Sequence, residues 1–537
     1  MSPTTVSPTT VSPDTQLSDD EAEARADLLI ALAVYALPLD SAVDFFAATS
    51  EALRLIPDQP TPRRALALAA HARSAAALGR DDDAGRRARE ARALGQQLEL
   101  NDVVTDAGTT LARLEERAED PDRVFGSLRA SIEQAEVSGE LGVALRGLFL
   151  LGNLHYDRGE IDDALATFTQ AVDRAEAGHR PWAAYGRDSR DMAALAHYVR
   201  GDWDRVAQLT RTDDTTPAFA EAGLTAVGLA VRAARGDATA LADLDRLRPW
   251  WHRDGLVALH SAGPGIDLLA STGRFDDALA VHDDAVLLIA GLWQNEWFQA
   301  RIRLHAVALG ALGASASVTT SSARPTLAER GRQLVADVNR TAERGSTRQT
   351  KRGPEGTAWL ARADAEWARL RWLTGVDAPT ADELVHRWEV SVAAFDYGHV
   401  FERARSRTRL AAARRAVGDT AGAQRDADEA RVEARRLGAQ PLLDELRELG
   451  AGGTNRATRS AGPRGPGLQP DGAIALTARE EQVLSLIAEG RTNRQIGRAL
   501  FISDKTVSVH VSNILAKLGA GGRTEAAAIA RRDGLLP

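Results

Sequence analysis

Residues 151–171 read LGNLHYDRGEIDDALATFTQA, and the placing of their small residues decides the fold. Gly159 suits a tight turn between two helices. After it, Ala164 and Ala171 offer no bulk where the second helix must approach the first, and Phe168 fills the gap between them. The same offsets of five, nine and twelve residues return after Gly79 (Ala84, Ala88, Ala91), Gly273 (Ala278, His282, Ala285) and Gly418 (Ala423, Ala427, Ala430). Weaker copies start at Gly201 and Gly236. The starts at 79, 159, 201, 236 and 273 are 80, 42, 35 and 37 residues apart, which is one or two periods of a helix pair of roughly 34 residues. From about Glu21 to Gly450 one amphipathic helical pattern follows another, without the period-two alternation of strands. The expected fold class is all-α.

The array resembles tetratricopeptide repeats, with 151–171 its best copy. His155 stands where that family usually has an aromatic and no proline closes the unit, so the reading is TPR-like. The resemblance implies a solenoid whose concave face takes peptides, proteins or a small ligand. Residues 1–20, with Ser2-Pro-Thr-Thr-Val repeated at Ser7, are expected to be a disordered tail, and 21–450 the repeat domain. An irregular insertion is expected near 314–357: a Ser/Thr-rich stretch (Ser315 to Ser322), a helix near Leu327 to Ala342, and a basic loop with Arg348, Lys351 and Arg352. Residues 451–472, rich in Gly, Pro, Ser and Arg, read as a flexible linker to a C-terminal domain over 473–537.

Composition narrows the function classes. Of 537 residues, 44% are hydrophobic but only 5% aromatic, and none is cysteine, so disulfides, Cys-ligated zinc and thiol nucleophiles are excluded. No apolar run approaches the ~18 residues of a membrane helix, and no basic signal-peptide start is present; a cytoplasmic protein is expected. The net charge of −9 divides unevenly. Residues 451–537 hold twelve basic and seven acidic side chains, a surplus of +5, which leaves −14 for the rest. An acidic body thus precedes a basic end, the balance expected of a nucleic-acid partner at the C-terminus.

The basic end has its own pattern. Thr477 and Glu480 form a capping box at the start of a helix carrying Val483, Leu484 and Ile487, which stops at Gly490. A short helix from Thr492-Asn493 buries Ile496 and Leu500. Phe501-Ile502-Ser503 make a turn, and a third helix runs from Asp504 to Leu518. This is the helix-turn-helix order. On the third helix Val507, Val511, Ile514 and Leu518 share one narrow arc and form its buried stripe. Lys505, Ser508, Val509 and Ser512 lie opposite, a strip of mostly small side chains that fits a major groove. Thr506, His510, Asn513 and Lys517 run along one flank, where their polar groups suit phosphate oxygens, and Asn493 joins them. Bland alternatives remain for two of these: a half-buried histidine at 510 and a helix-end charge at 517.

Leu476-Thr477-x-Arg479-Glu480, Ala488-x-Gly490, Asn493-x-x-Ile496, Leu500-x-Ile502-Ser503-x-x-Thr506-Val507-x-x-His510, Lys517-Leu518 and Arg523-x-x-Ala526 together make the segment very similar to the LuxR-type DNA-binding domain. The resemblance implies base-edge contacts from Ser508, Val509 and Ser512 and a homodimer through the last helix, Thr524 to Arg532, on two half-sites of double-stranded DNA. Several relatives carry lysines at the positions of Ser508 and Ser512, so different bases and less Coulomb attraction are expected here. RNA polymerase is the further partner implied.

The array resembles the helical-repeat part of the large ATP-binding LuxR regulators, including Phe401-Glu402-Arg403-Ala404-Arg405 and Arg436 to Leu442. Their ATPase module is missing: none of Lys351, Lys505 and Lys517 follows a glycine, as a phosphate loop requires. Leu259-His260-Ser261-Ala262-Gly263 lacks the first glycine of a nucleophile elbow, and the eleven histidines show no metal-ligand spacing. No enzyme, cofactor or metal is expected. Trp250-Trp251 and the pair Trp293 and Trp297 are candidates to line a ligand pocket, with interhelix packing the alternative. The reading is a sequence-specific transcriptional regulator whose repeats receive a ligand or protein signal. The alternative is an interaction scaffold whose helix-turn-helix holds another protein.

Overall fold

A computed structural model describes residues 18–36, 44–116, 121–293, 295–319, 322–345, 353–451, 476, 478–500, 502, 504–518 and 520–532. Of the tail expected over 1–20, residues 1–17 lie outside the described residues, whereas Asp19 and Asp20 open a helix, Asp19–Ala36, with acidic side chains in its first turn; of the linker expected over 451–472, Ala451 ends helix Gln440–Ala451 and the rest lies outside them. Among the described residues there are 25 α-helices and no strand. No helix among them is long and apolar enough to cross a membrane. The chain divides into two compact units, residues 1–151 with 170–188, and residues 152–169 with 189–537.

In the first unit, helices Pro62–Ala77 and Asp81–Gln97 show how the repeat pattern works. Gly79 has φ 69°. The Arg80 N–H donates back to the Ala75 carbonyl at 2.9 Å, which closes the helix end and reverses the chain. Ala84, Ala88 and Ala91 are fully buried, and their missing bulk lets the helices approach closely. A longer-range tie comes from buried Arg146, which donates to the Asp106 carbonyl and to Thr110 Oγ1, both at 3.0 Å.

The second unit repeats the device. Gly159, Gly201, Gly236, Gly273 and Gly418 all have positive φ, between 76° and 97°. Ala164, Phe168, Ala278, His282, Ala285, Ala423, Ala427 and Ala430 are buried. Gly152 shows why a residue without a side chain is required: a β-carbon there would lie 2.4 Å from Phe168 Cε1. His282, the polar member of the series, is hydrogen-bonded to His305 at 2.7 Å, and Arg301 Nε donates to His305 Nε2 at 2.9 Å. Because His305 Nε2 accepts, its proton sits on Nδ1 and points to His282, which passes its own to Asp283 at 2.8 Å. Both imidazoles are therefore neutral, and burial depresses their pKa values.

Packing in this unit reaches beyond neighbouring pairs. Helix Gln440–Ala451 packs on Ala218–Arg235, with Leu437, Leu442 and Leu446 in one cluster with Val227, Ala230 and Val231. Arg235 Nε donates to the Leu437 carbonyl at 3.3 Å, and Arg405 Nη1 donates to Asp267 at 2.7 Å across 138 residues. A repeat array limited to nearest-neighbour contacts has an open concave face; here distant helices meet and bound a cavity of about 570 Å³. Its aromatic lining is Tyr198, Trp359 and Phe401. The tryptophans proposed from sequence are not among the lining residues; Trp251 is buried, its indole N–H donating to Ser261 Oγ at 2.9 Å. Residues 259–263 fall inside helix Gly255–Ser271, which removes any resemblance to a strand-to-helix nucleophile turn.

The stretch 314–357, expected to break the regularity, is mostly helical. Ser315 to Val318 end helix Arg301–Val318, and Arg324–Gly345 is a helix longer than its apolar pattern suggested. Residues 346–352, which include Arg348, Lys351 and Arg352, lie outside the described residues.

Candidate nucleic-acid interface

Among the described residues four helices form the C-terminal domain: Ala478–Ala488, Asn493–Leu500, Asp504–Leu518 and Arg523–Arg532. The first ends at Gly490, φ 78°, where the Arg491 N–H donates to the Leu486 carbonyl at 3.1 Å. The second starts on a reciprocal cap. The Gln495 N–H donates to Thr492 Oγ1 at 3.3 Å, and the Thr492 N–H donates to Gln495 Oε1 at 2.9 Å. The Ile502 N–H donates to the Gly497 carbonyl at 2.9 Å and ends that helix, so the chain turns directly into the third.

One core holds the four helices together: Val483, Leu484, Ile487, Ile496, Leu500, Ile502, Val507, Ile514, Leu518, Ala526 and Ala530 are buried in it, with Val511 packed against its edge. The third helix thus has its apolar stripe inside, as its periodicity predicts. Opposite that stripe, Ser508 and Ser512 are exposed and Val509 is 46% exposed. Exposure of an apolar β-branched side chain contributes nothing to folding, and Val509 shares it with residues such as Leu287 and Val432 elsewhere in the chain; what sets Val509 apart is its place between Ser508 and Ser512.

The predicted phosphate-side residues are not all alike. Thr506, His510 and Asn513 are half-buried on the flank of the third helix. Asn493 is drawn into the site rather than standing free: its Nδ2 donates to Ser508 Oγ at 2.9 Å, and Arg523 Nη1 donates to its Oδ1 at 3.4 Å. Arg523 also donates to the Arg491 carbonyl. Ser512 Oγ donates to the Ser508 carbonyl at 3.0 Å, an ordinary helix back-bond for serine. Lys517 pairs with the nearly buried Glu480 carboxylate of the first helix. The expected capping partner of Glu480, Thr477, lies outside the described residues, as does the Lys505 side chain.

Two basic residues of this surface were not among the expected contacts, although Arg523 belongs to the matched pattern. Arg523 organises Asn493 and with it Ser508, a role visible only when the fourth helix meets the second. Arg494, exposed on the second helix, forms no ion pair among the described residues; its position one residue after Asn493 was the available signal. Elsewhere, ligand atoms of His155, Glu160 and Asp163 lie within 4.8 Å of one another, a grouping the histidine spacing did not disclose. Glu160 already accepts from His155 at 2.7 Å and from Arg158 at 2.9 Å, so its carboxylate is engaged by its own neighbours.

Residues 475–530 match the family model "Bacterial regulatory proteins, luxR family". Over 103 residues the chain is 41% identical to the transcriptional regulatory protein LiaR of Bacillus subtilis, covering 18% of this chain and 49% of LiaR. It is 40% identical over 94 residues to the DNA-binding transcriptional activator DevR/DosR of Mycobacterium tuberculosis, covering 17% of this chain and 43% of that protein. It is 44% identical over 61 residues to the spore germination protein GerE of Bacillus subtilis, covering 11% of this chain but 82% of GerE. The chain spans less than half the length of LiaR and DevR/DosR, and the similarity to GerE takes in nearly that whole protein. With the matched segment coinciding with the four-helix domain and its exposed Ser508–Val509–Ser512 strip, the chain belongs to the LuxR family of bacterial regulatory proteins.

Proposed function

We propose that this protein is a sequence-specific DNA-binding transcriptional regulator. The third helix of the C-terminal domain enters the major groove with Lys505, Ser508, Val509 and Ser512 at base edges. Asn493, Thr506, His510, Asn513 and Lys517 face phosphates. The observation that carries this reading is the exposed small-residue strip on a helix whose other face is locked in a core. Val509 then has a use, contact with a thymine methyl. Asn493 and Arg523 hold Ser508 in place. Two copies pair through Thr524 to Arg532 on two half-sites, RNA polymerase is the partner on the promoter, and the repeat array receives a ligand or protein signal in the cytoplasm. No reaction or cofactor is assigned to the chain.

The test is a genome-wide binding map of the intact protein followed by affinity measurements on the recovered sites at several salt concentrations. Binding that is sequence-selective and weakens linearly in log–log form with salt is expected. The absence of any enriched site defeats the reading. A scaffold role is separated by the Ser508→Ala, Val509→Ala, Ser512→Ala triple variant, which abolishes selectivity if the helix reads DNA and leaves function intact if the domain holds a protein.

A further inference from the structure

The cavity of the second unit brings together groups that no folding requirement unites. Four arginines line it. Arg369 is bound to Glu366 at 3.1 Å, Arg405 to Asp267 at 2.7 Å, and Arg409 to Glu445. Arg303 differs: among the described residues it forms no ion pair or hydrogen bond, and its guanidinium lies over the Trp359 ring, 5.4 Å from the centroid. Among the acidic lining residues, Asp267, Glu402 and Glu445 are engaged by arginines, and Asp444 and Glu448 are exposed at the rim. Arg303 is half-buried, with Trp359, Tyr198 and Phe401 as aromatic wall, and it lies in the field of the Glu355 and Glu402 carboxylates with no ion pair to either among the described residues. A guanidinium with free donors seeks a bidentate oxygen acceptor, and in a partly desolvated site a carboxylate is bound about twice as strongly as a neutral group. The rings offer an apolar body its place, and the volume is within the ~300–1,000 Å³ of small-molecule sites.

The same cavity has a second wall. Gln482, Ala499, Leu500 and Ile502 of the helix-turn-helix domain line it. Helix Asn493–Leu500 packs on helix Pro354–Thr374, with the Arg498 guanidinium 4.8 Å from the Trp372 ring centroid. A ligand in the cavity therefore sits beside the helix that precedes the DNA-reading one.

We infer that this cavity binds a small monocarboxylic acid with an aromatic or other apolar body, its carboxylate on Arg303 and its body against Tyr198, Trp359 and Phe401, and that occupancy alters DNA affinity through the shared wall. The binding stands independently; the coupling rests on the proposed DNA-binding function. Occupancy shifts the docked and released arrangements of the helix-turn-helix only as far as the acid prefers one of them.

The experiment uses the full-length protein. Phenylacetate and octanoate are titrated calorimetrically beside phenylacetamide and octanamide. Saturable binding of at least one acid below 1 mM, at least tenfold tighter than its amide, is expected. Arg303→Gln should abolish the preference for acid with the circular dichroism spectrum unchanged, and Arg303→Lys should restore part of it. No acid binding, equal binding of acid and amide, or an unaltered preference in Arg303→Gln overturns the site. The acid-to-amide comparison on the unaltered protein decides the matter even if the variants unfold. DNA affinity is then measured with and without saturating acid, on a fragment selected by the protein from genomic DNA; a change of at least fivefold is expected. An unchanged affinity overturns the coupling alone. Failure to select any DNA overturns the regulator reading and the coupling with it, while the calorimetric result stands.

Discussion

Glu366→Gln tests the ion network around the cavity most directly. The Glu366 carboxylate is fully buried. It accepts from Arg362 Nε at 3.1 Å and Nη2 at 2.7 Å, and from Arg369 Nη1 at 3.1 Å. Burial alone would raise its pKa, but the Arg362 and Arg369 guanidiniums win and hold it at about 2, below the ordinary 4.5. A depression of that size corresponds to about 3 kcal/mol of stability carried by the ionised form at pH 7. Glutamine keeps the volume and one acceptor, so no cavity opens, and the loss isolates the charge. Arg362 retains Glu402 at 2.8 Å, which keeps the cost at the lower end of the ~3–5 kcal/mol for breaking a buried pair. The assay is urea unfolding followed by tryptophan fluorescence. Nine of the ten tryptophans belong to residues 152–169 with 189–537, and only Trp182 to the other unit, so the signal reports the unit that holds Glu366. The sign with pH follows from the depression. The unfolded carboxyl takes up a proton near 4.5 and the folded one only near 2, so the contribution is complete above pH 4.5 and is lost as pH falls toward 2. At pH 3 the gap between the two proteins should have shrunk to about 1 kcal/mol. A loss under ~1 kcal/mol at pH 7, or a gap that does not change between pH 7 and pH 3, refutes the reasoning.

Further outcomes follow from other parts of the molecule. His399 is buried and held at about 4, chiefly by burial; since the unfolded imidazole takes a proton from about 6.5 downward, acidification from pH 7 to 5 should cost about 2 kcal/mol, and His399→Asn should flatten that slope in denaturant titrations. Gly152→Ala places a methyl into the Phe168 ring and should lower stability by roughly 1–3 kcal/mol, whereas Gly142→Ala in the same helix meets nothing within 4 Å and should gain up to ~1 kcal/mol; thermal melts compare the two. Asn493→Ala frees Ser508 and should weaken selective DNA binding more than non-selective binding, read as the ratio of the two dissociation constants. Lys517→Gln should change the log–log salt slope by less than the ~1 expected for a free phosphate contact, because Glu480 competes for the ammonium.

Much of the array was legible because its evidence is local. A glycine that turns the chain and alanines five and twelve residues later are constraints within one helix pair, and buried Ala84, Ala164, Ala278 and Ala423 follow from them. The C-terminal domain was legible for the same reason: Val507, Ile514 and Leu518 declare their face by spacing alone. Within 314–357 the helix expected near Leu327 to Ala342 is present, but the Ser/Thr-rich stretch from Ser315 read as non-helical while the preceding helix runs on to Val318. Serines and threonines at 315–319 weaken a helical pattern in sequence, yet Thr319 Oγ1 donates to the Ser315 carbonyl at 2.7 Å and Ser317 Oγ to the Ala314 carbonyl, so the helix end absorbs them. The tryptophans chosen for a pocket were adjacent (Trp250, Trp251) or four residues apart (Trp293, Trp297), and nearness along the chain says nothing about which side chains share a space.

The sequence by itself determined the all-α class, the turn positions, the helix-turn-helix and the face of its third helix, since each depends on residues within about four to twelve positions of one another. Tertiary structure alone decided the rest. It brought Leu437 and Leu446 to Val227 and Val231, left Arg303 on the cavity without an ion pair among the described residues, and brought Arg523 to Asn493 and Lys517 to Glu480. These are pairings between side chains tens to hundreds of residues apart. Charge and size make many such pairings permissible in sequence, and only the packing of whole helices selects among them.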